Sequence, residues 1–184
     1  MQFHPTTLPG VWMIELEPRE DERGFLARTY CEEEFGNRGL GVHWPQCNLT
    51  LTKRRGMVRG LHYQAAPKSE AKLIRCVAGA VWDVVVDLRR SSRTFGAWWG
   101  VELSAENHLM LWVPKGLAHG ILVTSDQVDF LYKCTDTYSP AHEKTLAWDD
   151  PSLGIKWPLP AGAQPKLSAK DAKGASFKDI EKFA

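Results

Sequence analysis

Apolar residues in this chain recur at period two in short runs, and Gly, Pro, Asn and Asp interrupt the runs at regular intervals. Few long windows carry a 3.6-residue period, so the pattern is that of strands rather than helices. The runs predict strands at Val11–Leu16, Phe25–Tyr30, Trp44–Thr52, Val58–Gln64, Lys72–Val77, Ala80–Leu88, Trp98–Leu103, Leu109–Val113, Ala118–Val123 and Phe130–Thr135. Glu17–Gly24 reads as a charged loop, Glu32–Arg38 as a helical turn ended by Gly39, and Lys72–Val77 with Ala80–Leu88 as a hairpin joined at Ala78-Gly79. In the second of these strands Trp82, Val84, Val86 and Leu88 form an apolar face, with Asp83 and Asp87 opposite. The chain turns polar and Pro-rich from Ser139, and its one longer helix is expected at Ser176–Phe183. Short strands at such spacing predict an all-β sandwich or small barrel, with residues 1–184 forming one domain.

Size and charge narrow the function classes. A chain of 184 residues buries about 70% of its unfolded surface. A net charge of +1 gives no support to nucleic-acid binding, and no apolar run has the length of a membrane span. The start, Met1-Gln2-Phe3-His4-Pro5, lacks the basic and apolar regions of a signal peptide, which points to the cytoplasm. Cys31, Cys47, Cys76 and Cys134 are widely spaced with no Cys-x-x-Cys pair, so reduced thiols are expected rather than a zinc knuckle or a disulfide framework.

One run carries too much polar chemistry for a plain core strand. Val58-Arg59-Gly60-Leu61-His62-Tyr63-Gln64 places an arginine, a histidine and a glutamine among strand formers, and buried groups of this kind are costly without polar partners. Strict alternation puts Arg59 and His62 on opposite faces, so they share a pocket only if Gly60 marks a bulge or bend. Lys72 and Arg75 follow in what reads as the neighbouring strand. A pocket for an anionic sugar, with His62 as base, is the reading that uses these residues together.

Other chemistries lack support. The place of a metal-binding His-x-His pair reads His62-Tyr63-Gln64, and His4, His43, His108, His119 and His142 add no i, i+2 pair, so no metal is expected. There is no Gly-x-Ser-x-Gly nucleophile elbow and no dinucleotide-binding Gly-x-Gly-x-x-Gly. General acid–base chemistry is left. His119, flanked by Ala118 and Gly120, reads equally as a pocket or a core histidine. Tyr132 reads as core packing or as a proton donor, Asp171 as a cap or as a partner of His62. Arg23, Lys72 and Lys170 read as solvated charges or ligand contacts, and Glu143 as a surface acid or a counter-charge.

Eight blocks appear in a fixed order: Asp21-Glu22-Arg23-Gly24-Phe25, Gln46-Cys47-Asn48, Arg59 to Gln64, Lys72-Leu73-Ile74-Arg75-Cys76, Pro114 to Gly120, Leu131 to Thr135, Trp148-Asp149-Asp150-Pro151 and Leu167 to Asp171. From about Pro9 to Asp171 the chain resembles the dTDP-4-dehydrorhamnose 3,5-epimerase family. The resemblance implies a cupin-like jelly roll with a few short peripheral helices, a homodimer, no cofactor, and epimerisation at C3 and C5 of a nucleotide-linked 4-keto-6-deoxyhexose. It implies His62 as base, Tyr132 as acid, Asp171 orienting His62, and Lys72 at the C4 oxyanion. Arg23, Gln46, Asn48, Arg59, His119, Glu143 and Lys170 would contact the nucleotide-diphosphate sugar, and Tyr138 would stack on its base. Arg28, Cys47 and Gln64 fall in the same substrate-touching stretches. Arg28 stands where the family commonly has a glutamate, and Cys47 where it often has an aspartate. That change of charge leaves open a C3- or C5-only epimerase, or a 3,4-ketoisomerase on another nucleotide sugar.

Overall fold

The computed structural model describes residues 1–184 and contains thirteen strands with one short helix. Two twisted antiparallel sheets lie face to face. The first has six strands in the order β1 (Gln2–Pro5), β2 (Trp12–Glu15), β10 (Leu109–Val113), β7 (Lys72–Ala78), β12 (Val128–Cys134) and β5 (Gln46–Thr52). The second has five: β13 (Glu143–Thr145), β6 (Val58–Gln64), β11 (Leu117–Val123), β8 (Ala80–Asp87) and β9 (Trp98–Ser104). A small hairpin, β3 (Arg19–Asp21) with β4 (Gly24–Leu26), stands apart, and α1 covers only Glu32–Gly36. This is the all-β, cupin-like jelly-roll sandwich.

Alternation along each strand supplies the layers. Ile74, Cys76, Leu111, Val113 and Phe130 from the first sheet meet Val81, Val85, Leu103, Leu117 and Ile121 from the second to form the central core. The outer face of the five-stranded sheet carries Leu61, Tyr63, Val84, Val86 and Leu88, and the C-terminal segment covers it with Leu146, Leu153, Phe177, Ile180 and Phe183. The outer face of the six-stranded sheet is covered in part by Phe35 of α1 with Phe3, Tyr30 and Trp44. The strand β8 is thus apolar toward the C-terminal segment, while Asp83 and Asp87 point into the sandwich.

Several elements differ from the sequence expectation. β7 and β8 are not a hairpin: Gly79 turns the chain from one sheet into the other, at φ +74°. A Cβ at Gly79 would lie 2.0 Å from the Gln127 carbonyl oxygen, so only glycine fits the corner. Glu17–Gly24 is not wholly loop, because β3 lies within it and pairs with β4. The Asp21 carboxylate, 2.9 Å from the Arg23 amide, orders the turn between them. The strand expected at Phe25–Tyr30 ends at Leu26. Ser176–Phe183 forms no helix. After one turn, in which the Asp179 and Ile180 amides donate to the Ser176 carbonyl, Phe183 pairs in extended form with Leu88 and Arg90. Burial of Phe177, Ile180 and Phe183 against the sheet outweighs the local helical preference.

Candidate active site

The bend expected at Gly60 is present. His119 of β11 pairs with His62 and Ile121 with Arg59, so one residue of β11 (Gly120) spans two of β6 (Gly60 and Leu61). The extra residue reverses the parity of β6. Arg59 and His62 therefore face the same side, while Leu61 and Tyr63 turn outward to the C-terminal segment. Gly60 has φ +112° and the Gly60–Leu61 peptide is cis.

Both side chains line a cavity of about 420 Å³ between the sheets. His62 Nε2 lies 2.6 Å from Asp171 Oδ1. Asp171 is buried at the start of a 3-10 turn, Asp171–Lys173, and its amide is capped by Ser168 Oγ at 3.0 Å. Burial alone would raise the Asp171 carboxyl. Hydrogen bonds from His62, Ser168 and the Gly60 amide, with the His62 charge, outweigh it and hold the group below the usual carboxylate value. A carboxylate accepting from Nε2–H leaves Nδ1 as the basic nitrogen of the ring.

The opposite wall comes from the six-stranded sheet. Tyr132 of β12 and Lys72 of β7 line the same cavity. Burial above all, with the Glu70 and Glu143 carboxylates, raises the Tyr132 phenol above its ordinary value against the pull of Arg59. The phenol is therefore a proton donor at neutral pH. Lys72 does not approach from a strand beside β6, as the sequence suggested. It crosses from the facing sheet, with its ammonium 3.4 Å from Glu70 Oε1.

At the far end Arg59 Nε donates to Thr52 Oγ1 at 2.9 Å. His119 is a cavity residue and not a core one. Its Nε2 lies 2.8 Å from Asp83 Oδ2, and its ring stacks on Phe130 with centroids 6.2 Å apart. A smaller lobe of about 100 Å³ opens beside His62 and Tyr132. It is bounded by Gln46, Asn48 and Tyr138, and Gln46 fixes the Tyr138 amide at 2.8 Å. Glu143 joins Lys170 in an ion pair and accepts from the Tyr138 hydroxyl at 2.7 Å. Burial would raise Glu143, but these partners and the His62 charge lower it.

Four of the residues expected to touch substrate have other partners in this chain, and of these Gln64 also lines the smaller lobe. The Gln64 amide is committed to backbone: Nε2 donates to Lys68 O at 2.8 Å and Thr137 O at 3.2 Å, and Oε1 accepts from the Ser139 amide at 2.6 Å. It holds the Tyr138 loop in place. Cys47 is exposed on the outer face of β5, because alternation turns Gln46 and Asn48 inward instead. Arg23 pairs with Asp21 on the exposed hairpin, and Arg28 pairs with Glu34 at 3.1 Å, both outside the cavity. Two acids that sequence reasoning did not place in the site are Asp83 and Glu70. The parity of Asp83 was visible in β8, but its contact with the cavity residue His119 was not. Glu70 sat in an apparent loop with no periodicity to orient it.

A family model described as dTDP-4-dehydrorhamnose 3,5-epimerase matches residues 5–179. A dTDP-4-dehydrorhamnose 3,5-epimerase from Shigella flexneri is 44% identical over 184 residues, covering 100% of this chain and 99% of that protein. The crystal structure of the dTDP-4-dehydrorhamnose 3,5-epimerase from Elizabethkingia anophelis NUHP1 superposes with a TM-score of 0.92 at 42% identity, covering 97% of each chain. That of the dTDP-6-deoxy-D-glucose-3,5-epimerase from Legionella pneumophila Philadelphia 1, in complex with dTDP-4-keto-L-rhamnose, gives 0.91 at 40% identity, covering 98% of this chain and 94% of that one.

Proposed function

The chain belongs to the dTDP-4-dehydrorhamnose 3,5-epimerase family and is an isomerase, and we propose that it inverts C3 and C5 of dTDP-4-dehydro-6-deoxy-D-glucose through an enolate, with His62 as base and Tyr132 as acid. The observation that carries this reading is the opposition of the two groups: His62, oriented by Asp171, stands on one sheet, and Tyr132 stands on the other. A sugar ring lying between them presents its two faces to the two groups.

Each inversion then balances as follows. His62 Nδ1 takes the proton from the carbon next to the C4 ketone, and the C–H electron pair moves to the carbonyl oxygen as an enolate. Lys72 is the cation placed for the oxyanion, which is the largest electrostatic contribution expected in such a step. The enolate then takes a proton from the Tyr132 hydroxyl on the other face, and solvent resets the pair to neutral phenol and free imidazole. The ketone acidifies both C3 and C5, so the same groups serve both carbons. Arg59 and His119 supply positive or donor groups for the diphosphate end, Tyr138 a stacking face for the base, and Lys170 and Glu143 a hydrogen-bonding rim. Residues 1–184 act as one domain in this reading.

The proposed assembly is a homodimer. Arg23 and Arg28 lie outside the cavity of their own chain, and the hairpin that carries Arg23 exposes Phe25 and Leu26. Edge strand β5 exposes Leu49 and Leu51 on its outer face. A second copy would cover that face and receive the hairpin, which gives Arg23 and Arg28 a substrate to meet. No helix is long and apolar enough to cross a membrane. Four free thiols fit a reducing compartment, which supports the cytoplasm.

The test is solvent exchange. With dTDP-4-dehydro-6-deoxy-D-glucose in D2O, proton NMR should show deuterium entering both C3 and C5, with an L-configured product. Exchange at one carbon only would replace the double-epimerase reading by a mono-epimerase, and a 3-keto product would replace it by a ketoisomerase.

A further inference from the structure

The mechanism above leaves the Glu70 carboxylate without a task. Glu70 lies two positions before Lys72, the first residue of β7, and its side chain is 9% exposed. It lines the smaller lobe together with Lys72, Tyr132 and Cys134. The backbone that carries it is fixed on both sides of Ala71: the Ala71 amide donates to Thr135 Oγ1 at 2.9 Å, and the Thr135 amide to Ala71 O at 3.0 Å. Its charged partner is Lys72, which has no carboxylate nearer than the 3.4 Å contact. A largely buried carboxylate beside these groups changes the field on every one of them.

We propose that Glu70 is a positioning residue of the reaction: its carboxylate anchors the Lys72 ammonium at the junction of the two lobes and offsets the cations that share the cavity with the Tyr132 hydroxyl. The proposal rests on the roles given above to Lys72 and Tyr132. A lysine side chain is a long flexible stem, and an ion pair at its tip removes rotamer freedom that would otherwise be lost when the oxyanion forms. The charge balance around Tyr132 has the same source. The groups sharing its surroundings are Glu70 and Lys72 from the β7 side, Cys134 from its own strand, Arg59 and His62 from β6, His119 from β11, Glu143 from β13, Tyr138 from the loop before it, and Lys170 and Asp171 at the 3-10 turn. Burial first, and Glu70 next, push the Cys134 thiol up to about 12, so it stays protonated and adds no charge at working pH. Burial is the main reason Tyr132 stays a donor, and the Glu70 and Glu143 carboxylates add to it against the pull of Arg59.

The experiment compares pH profiles of kcat and KM for the full-length wild type, Glu70→Gln and Glu70→Asp, by epimerisation and by deuterium incorporation. Glu70→Gln keeps the shape and removes the charge. The acid must be protonated to donate, so loss of a neighbouring anion brings the alkaline fall of kcat to lower pH. The expected displacement is on the order of half a pH unit or more. The kcat at the optimum should also fall by roughly tenfold with KM changed less than threefold, as for an interaction made in the transition state. Glu70→Asp, which keeps the charge, should return the alkaline limb toward the wild-type position. A Glu70→Gln profile that superimposes on wild type overturns the proposal. So does a loss of kcat that is uniform in pH, because that is the signature of a structural role. Failure of the wider mechanism would show differently, as absent exchange in the wild type itself.

Discussion

A Cβ on Gly60 would lie 2.7 Å from the Gly120 Cα and 2.7 Å from the His119 carbonyl oxygen, and a Cβ on Gly120 would lie 2.8 Å from the Arg59 carbonyl oxygen. The two glycines let the bulged strand β6 press against β11, and the bulge is what turns Arg59 and His62 to one side. Gly60→Ala is expected to lower stability by about 1–3 kcal/mol through overpacking and to lower kcat/KM through displacement of Arg59 or His62. Urea unfolding and steady-state kinetics check this. A fully active, equally stable variant would show that the bulge tolerates a side chain.

Asp171 holds His62 through a 2.6 Å contact from a buried position. Asp171→Asn removes the carboxylate that fixes the tautomer and stabilises the imidazolium formed when the proton is taken. A loss in kcat of about 10²- to 10⁴-fold is expected, with a much smaller change in KM. Parallel exchange and inversion assays measure it.

The Gln64 amide, beside the smaller lobe, is spent on Lys68, Thr137 and Ser139. Gln64→Leu would leave those backbone groups unpaired, at about 1–3 kcal/mol for each one that stays buried. Because the loop carries Tyr138, KM for the nucleotide sugar should rise more than kcat falls. Titration of dTDP against the variant and wild type separates the two.

Asp87 is fully buried and accepts from Arg89, Ser92 and Thr94. Burial works to raise its carboxyl, but those bonds prevail and bring it to about 2 from the usual 3.8. A depressed folded value contributes stability that is complete above the unfolded value and disappears as pH falls through the folded one. Asp87→Asn should therefore cost on the order of 2 kcal/mol near pH 7. The gap from wild type should narrow between about pH 4 and pH 2 as the wild-type carboxylate protonates. Urea unfolding at a series of pH values gives the curve, and a gap that does not change with pH would contradict it.

The fold was legible because alternation is a local property. The runs at Val58–Gln64, Trp98–Leu103 and Leu109–Val113 show which residues are strands, and the even spacing of turns shows that they stack in sheets. What alternation does not contain is the identity of the neighbour. Lys72 and Ala80 are close in sequence, and nothing local shows that Gly79 sends them to different sheets. Which face of β8 meets the core also depends on a segment almost sixty residues or more away, Leu146 to Phe183, so Asp83 was seen but not located. In the site, Arg59 and His62 were readable from spacing plus one bend, while Gln46 and Asn48 entered only through the family resemblance. Tyr132 and Asp171 carried alternatives that only the family resemblance resolved. Glu70 and Asp83 gain meaning from Lys72 and His119, partners that spacing alone could not assign to them. The exposed position of Cys47 follows from simple parity with Gln46 and Asn48.

The opposed acid and base are tested most directly by measuring deuterium exchange and inversion together in Tyr132→Phe and His62→Ala. Tyr132→Phe should still exchange, because His62 takes the proton, but should return it on the face it left, so that label enters with little inversion. His62→Ala should show neither. Inversion at the wild-type rate in Tyr132→Phe, or exchange at the wild-type rate in His62→Ala, would contradict the assignment of base and acid to the two facing sheets.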